Sequence, residues 1–407
     1  MKNVPRKLLT SQRGGPEDVT DKVAQKTFAA ALAILLALGA SSVHAEVKVG
    51  LMLPYSGTYA KLGEAIENGF KLYVEEQGGT LGGQTVRYFR VDDESSPPKA
   101  TENANRLIQR DQVDVMVGTV HSGVVVAMAK AARDADTTLI IPNAGAGVVT
   151  GAQCSMNVVR ASYTNWQTGY PMGKVALEKG YKTAVTISWN YAAGKEHTDA
   201  FKESFEQGGG KVVRHLQLPF PAVEFQPLLT EIAALKPDVV FAFFAGGGAV
   251  KFVQDYHAAG LRDAIPLVGN GFLTDGTLEA QGQAAQGLLT TLHYADSLNT
   301  PRDKAFRANY AKAYPTMPPD VYAVQGYDAA QLLDIGLKAV GGDVHQKDAM
   351  RVAMRRATVD SPRGTFTMSR AGNPILDVYL REVRGTENIS IGVAMEKLED
   401  PARGCKL

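Results

Sequence analysis

The chain has 407 residues, 45% hydrophobic, 21% charged and 8% aromatic, with a formal net charge of +1. That length exceeds one ordinary core and suits two domains, and a near-neutral charge with no long one-sign block argues against a nucleic-acid binder. Two cysteines exclude a disulfide-dense scaffold or a Cys-rich zinc module, and 7 histidines without an HxxxH pair give no metal site.

Residues 1–27 carry Lys2, Arg6, Lys7, Arg13, Lys22 and Lys26, followed by the apolar run Phe28–Leu38 and small residues ending at Val43-His44-Ala45. A basic, then apolar, then small-residue order reads as an export signal cleaved after Ala45. The apolar run is shorter than the about 20 residues a membrane span needs. A buried core helix is the plain alternative. No cysteine lies at the cleavage point, so no membrane anchor is expected. Glu17, Asp18 and Asp21 are unusual in such a leader, and a translation start near Val23 would account for them. In an oxidising compartment Cys154 and Cys405 have only each other and are expected to pair. The alternative is a free Cys405 thiol on a frayed tail.

Strand and helix signals then alternate. Val47–Pro54 reads as a buried strand, and Leu62–Gln77 as a helix with Leu62, Ile66, Phe70 and Tyr73 on one face. Gly78-Gly79 ends that helix and Gly82-Gly83 turns the chain into strand Gln84–Asp92. Helix Lys99–Gln109 and strand Asp114–Gly118 follow. Ser122 is a candidate N-cap for a helix to Asp134, and strand Thr138–Ile141 runs into Pro142-Asn143-Ala144-Gly145. A second series begins after Asn157–Arg160. It reads helix Trp166–Lys179, strand Thr183–Ser188, helix Gly194–Gln207, strand Lys211–Leu218, helix Pro227–Leu235, strand Val239–Phe244, helix Ala249–Ala259 and strand Pro266–Gly269. After Gly287–Leu292 come helices Arg302–Tyr314, Val321–Val340 and Gln346–Arg355, then paired strands within Gly364–Glu382. This alternation predicts an α/β protein with parallel sheets covered on both faces. No linker separates the two series, so short crossings near 160, 290 and 365 are expected to form a hinge.

The segments VGLMLPYSGTYAKLGEAIENGFKL, VDDESSPPKA, VGTVHSG, IIPNAGA and FQPLLTEIAALKPDVVFAFF occur in this order. As an ordered set they resemble the leucine/isoleucine/valine-binding family, the periplasmic solute receptors of ABC importers, over about residues 46–400. SGTYAxLGE, GTVHSG, NW and FFAGGGAVKF resemble the branch that binds aromatic acids more than the branch for aliphatic amino acids. The resemblance implies a two-lobed type I periplasmic-binding fold with three hinge crossings, residues 46–161 plus 288–365 forming one lobe and 162–287 plus 366–407 the other. It also implies a membrane permease as partner, a periplasmic location and a small carboxylate ligand. A monomer without cofactor is expected.

In open α/β sheets ligands sit at the C-terminal ends of the strands. Those ends here are rich in Gly, hydroxyl and aromatic residues and poor in charge, which suits a small, partly apolar ligand. Ser122 sits where a strand feeds a helix, so first-turn amides and its hydroxyl can hold a carboxylate without an arginine. The family's carboxylate-binding serine falls on Ser122; the alternative is a simple cap. Asn143, Ala144 and Gly145 match the family's second carboxylate loop, or form an ordinary turn. Tyr59 and Tyr191 match aromatics that cover the ligand from opposite lobes. His121 is read as a ligand contact or a structural group, and Trp166 as a stacking wall or a core anchor. Gly246-Gly247-Gly248 supplies a further loop, with Gly247 as a candidate contact.

Amino-acid receptors of this family place an acidic residue at the position of Asn270, where it pairs with the ammonium. A neutral Asn270 favours a ligand with a carboxylate and no amine, since an unpaired buried ammonium is costly. A branched-chain or other amino-acid receptor, and a ligand-sensing periplasmic module, are the alternatives. An enzyme is not expected: GGGAVKF lacks the GK[ST] of a phosphate loop, GTVHSG is not a nucleophile elbow, and His121 beside Ser122 has no orienting acid.

Overall fold

Apolar strands and amphipathic helices from Glu46 to Arg160 assemble the first sheet of the computed structural model, which describes Met1, Lys2, Lys7 and residues 46–407. The rest of the expected leader, with its cleavage point at Ala45, lies outside the described residues. The strands are β1 (Glu46–Leu53), β2 (Thr80–Leu81), β3 (Gln84–Asp92), β4 (Val115–Val117), β5 (Thr138–Ile141) and β6 (Val158–Arg160), in the spatial order β2-β3-β1-β4-β5-β6. All pairs are parallel except β2 with β3. β1 lies inside the sheet, so Val47, Val49, Leu51 and Leu53 are fully buried. That is why VKVGLML reads as an apolar run rather than an alternation. Helices α1 (Ala60–Glu76), α2 (Pro97–Asn105) and α3 (Ser122–Asp134) are the crossovers of this half. α2 starts two residues earlier than expected, on Pro97, whose missing N–H is harmless in a first turn.

The second sheet contains β7 (Thr183–Trp189), β8 (Lys211–Leu218), β9 (Val239–Phe243), β10 (Leu267–Asn270), β11 (Leu289–Leu292), β12 (Thr358–Val359), β13 (Phe366–Met368), β14 (Pro374–Arg384) and β15 (Glu387–Leu398). The order β8-β7-β9-β10-β11 is parallel throughout, and β14 adds antiparallel to β11. Its crossover helices are α4 (Asn165–Glu178), α5 (Ala192–Gln207), α6 (Gln226–Leu235) and α7 (Gly246–Ala258). α4 opens on a capping box, in which Thr164 accepts from the Gln167 amide and the Gln167 side chain accepts from the Thr164 amide. These are two sheets of mainly parallel strands flanked by helices, the α/β architecture that the resemblance implies.

The chain passes between the sheets after β6, after β11 and again before β14. β11 pairs with β10 and β14 in the second sheet, which corrects the expected lobe boundary at 288: Leu289–Leu292 belong with the second half. From there α8 (Pro301–Ala313), α9 (Val321–Ala339) and α10 (Lys347–Arg355) return to the first half. α9 packs on α1 backbone to backbone. A Cβ at Gly69 would lie 1.8 Å from the Ala323 carbonyl oxygen, and one at Gly326 1.9 Å from that of Ile66, so both positions require glycine. Cys154 and Cys405 are disulfide-bonded with a sequence separation of 251, tying the tail to the turn before β6.

Candidate functional site

The C-terminal ends of both sheets face one another across a nearly closed cavity of about 10 Å³. The first half contributes Tyr59 after β1, Val120 and Ser122 after β4, and Asn143 after β5. The second half contributes Tyr191 and Ala193 after β7, Phe243 and Ala245 at the end of β9, and Phe272 after β10. Tyr163 and Asn165 enter from the first crossing, and Tyr322 from the start of α9. No carboxylate, ammonium or guanidinium is among these lining groups.

The segment VGTVHSG is built to leave a free hydroxyl. His121, not Ser122, caps α3: its Nδ1 accepts from the Gly123 amide at 3.1 Å. Ser122 is therefore the first helical residue, and its hydroxyl is not spent on a cap. It accepts from Asn165 Nδ2 at 3.3 Å and retains its own hydrogen to donate. The acidic pair in VDDESS fixes this loop and the one after β1 from behind. Asp92 accepts from the Tyr55 amide at 2.9 Å, and buried Asp93 accepts from the Thr119 hydroxyl. Burial pushes Asp93 up to about 6.

Asn143 belongs to a polar chain. Its Nδ2 donates to Gln325 Oε1 at 2.6 Å, its Oδ1 accepts from Tyr163 at 3.4 Å, and Gln325 Nε2 lies 3.2 Å from His293 Nε2. Arg160 is buried behind this loop. It donates to the carbonyls of Ala144 and Ala146 and to Asn373 Oδ1 at 3.1 Å. Burial lowers its pKa to about 10, which still leaves it charged at neutral pH. A positive charge behind the loop favours an anion in front of it.

Aromatic rings close the space. The hydroxyls of Tyr59 and Tyr191, from opposite halves, are 2.9 Å apart. His121 stacks on Tyr191 at 4.6 Å, and Phe220 packs on Tyr59, His121 and Tyr191 at 4.9–5.3 Å. Burial raises the pKa of Tyr59, Tyr163, Tyr191 and Tyr322, so these groups remain neutral phenols. Burial also pushes His121 down to about 4. Folding thus excludes a proton that the unfolded chain binds near pH 6.5, so this group lowers stability as pH falls from about 6.5 to about 4. Relative to His121→Asn, which keeps a capping acceptor, the wild type is expected to lose about 3 kcal/mol across that window. Denaturant unfolding of both proteins at a series of pH values checks this.

The expected residues divide. Tyr59, Ser122, Asn143 and Tyr191 meet at the cavity. Ala144 does not line it: its amide is spent on the Thr119 carbonyl at 2.9 Å and its carbonyl on Arg160. Gly145 packs against Asn165 instead. Gly247 lies at the start of α7, where a Cβ would be 3.3 Å from Thr58 Oγ1; it serves the contact between halves, not the cavity. Trp166 points away, packing on Tyr170 at 4.6 Å and donating to Glu203 at 3.2 Å along a more open outer groove. Asn270 is fully buried behind the Phe272 turn, with no partner for either amide atom among the described residues. Sequence reading missed Tyr163, Asn165, Phe220, Phe243 and Tyr322. Their only local signal was a position near a crossing or a strand end.

The periplasmic binding protein family model matches residues 46–388. This chain belongs to the periplasmic binding protein family. Among relatives in this family, Leu/Ile/Val-binding protein homolog 6 of Brucella melitensis is 31% identical over 369 residues, covering 88% of this chain and 93% of that protein. A solute-binding protein of an R. palustris ABC transporter, solved in complex with benzoate, is 52% identical with a TM-score of 0.87, covering 89% of this chain and 100% of that one. A second, from Rhodopseudomonas palustris BisB5 in complex with 3,4-dihydroxybenzoic acid, is 31% identical with a TM-score of 0.82 over 88% of this chain and 99% of that one. Among the described residues of this periplasmic binding protein, no helix is long and apolar enough to cross a membrane.

Proposed function

We propose that this chain is the solute receptor of an ABC importer, exported to the periplasm and closing as a monomer on an aromatic carboxylate of the benzoate class. The observation that carries this reading is a cavity walled by aromatic rings, hydroxyls and amides, with no acidic group to receive an ammonium. The ligand carboxylate takes the Ser122 hydroxyl at the start of α3, where the helix dipole favours an anion. The ring lies among Tyr59, Tyr191, Phe243 and Phe272. The benzoate complex of the R. palustris relative supports the same ligand class. Closure needs no chemical step: a ligand that contacts both lobes shifts the open–closed equilibrium, and the closed pair of lobes docks on the permease.

Glu196 on α5 latches the closed form. Its Oε2 accepts from the Gly147 amide of the other half at 2.9 Å and from Asn165 Nδ2 at 2.8 Å. Glu196→Ala is expected to weaken binding about tenfold, with Glu196→Gln recovering part of the loss because an acceptor oxygen remains. Calorimetric titration of both variants checks this.

The receptor role is tested by transport. Deleting the gene is expected to abolish uptake of radiolabelled benzoate or hydroxybenzoate at submicromolar concentration, and leucine uptake is expected to persist. Unchanged aromatic uptake together with lost leucine uptake would overturn the reading.

A further inference from the structure

We infer that Tyr322 reads a hydroxyl on the ligand ring, so that the preferred solute is a hydroxylated aromatic carboxylate rather than the unsubstituted acid. This rests on the aromatic-carboxylate reading above and narrows it.

Four tyrosines line the cavity, and three are already engaged: Tyr59 with Tyr191, and Tyr163 with Asn143. The fourth, Tyr322, is 1% exposed, and its hydroxyl has no hydrogen-bond partner among the described residues. A buried phenol without a partner carries a desolvation cost, and a ligand hydroxyl placed against it removes that cost. A site built to bond a hydroxyl discriminates strongly against the analogue that lacks one.

The ends of the cavity differ in charge, which sets the ligand's direction. The carboxylate end is the start of α3, with Ser122 and the positive Arg160 behind the neighbouring loop. Tyr322 lies at the start of α9, its ring 5.8 Å from Phe272. Asp320 caps that helix by accepting from the Ala323 amide at 2.9 Å, and Asp275 is paired with Arg381 at 2.7 Å, so this side holds no unpaired cation for a carboxylate. A neutral ring hydroxyl needs none and finds the unpartnered Tyr322 hydroxyl.

The test is calorimetric titration of benzoate, 3-hydroxybenzoate and 4-hydroxybenzoate into the wild type and Tyr322→Phe. At least one hydroxybenzoate is expected to bind the wild type about tenfold more tightly than benzoate. Tyr322→Phe is expected to bring that ratio to within about twofold while benzoate binds no more weakly. The variant's ligand-free melting curve shows that it folds. Equal wild-type affinity for all three acids, a preserved ratio in the variant, or an equal loss of benzoate and hydroxybenzoate binding would overturn the inference. That last result would assign Tyr322 to the carboxylate. If no aromatic acid binds the wild type, the aromatic-carboxylate reading itself fails, and this one with it.

Discussion

Gly246→Ala is expected to weaken solute binding about a hundredfold while lowering the ligand-free melting temperature by no more than a few degrees. Gly246 opens α7 in the second half at φ +54, against the Tyr59 turn of the first half. A Cβ there would lie 2.3 Å from the Thr58 carbonyl oxygen, which is backbone and cannot swing aside. The clash exists only when the halves meet, so separated lobes tolerate it. The left-handed conformation alone costs alanine roughly 1–2 kcal/mol. The adjoining Gly248 amide donates to Thr58 Oγ1 at 3.3 Å, so the same contact carries part of the closure energy. Titration and thermal melting, run together, separate the two effects. Equal loss of affinity and of ligand-free stability would mean that the contact is structural and not a closure contact.

Asp328→Ala is expected to destabilise the protein by about 3–5 kcal/mol. Arg363 and Asp328 form a buried pair, Nε to Oδ2 at 2.9 Å, with side chains 2% and 0% exposed. Arg363 also donates to the carbonyls of Ser162 at 2.8 Å and Ala161 at 2.6 Å, so it pins the first crossing to the third. Removing the carboxylate strands a guanidinium in the interior. A shift below about 1 kcal/mol in denaturant unfolding would show that the crossings are held by their backbone alone.

The fold was legible because each half repeats a local code. Buried runs such as VKVGLML and VVFAF announce strands, and glycine pairs end the helices between them. β15 was missed because, as an edge strand, it shows solvent a mixed row that includes Glu387, Ser390 and Glu396 rather than an apolar run. The cavity lining was legible wherever a strand end supplied it, as at Tyr59, Ser122, Asn143 and Tyr191. Tyr163 and Tyr322 were not, because crossings and a returning helix bring them in, and no local periodicity encodes that path. Ala144 and Gly145 stay off the cavity wall for a different reason. Their loop has the right sequence, but Thr119, Arg160 and Asn165 consume or cover its backbone. For Ser122 the capping alternative drops out, because His121 caps α3 and leaves the Ser122 hydroxyl available to a ligand.

The central claim is that uncharged groups between two lobes hold an aromatic carboxylate and reject an amino acid. Isothermal titration of the purified protein with benzoate, 4-hydroxybenzoate, leucine and isoleucine tests it most directly. The account predicts saturable binding of the aromatic acids and none of the amino acids, whose ammonium finds no acidic partner in the cavity and would lose several kcal/mol of hydration. Tight binding of leucine or isoleucine, with no heat from either aromatic acid, would contradict it.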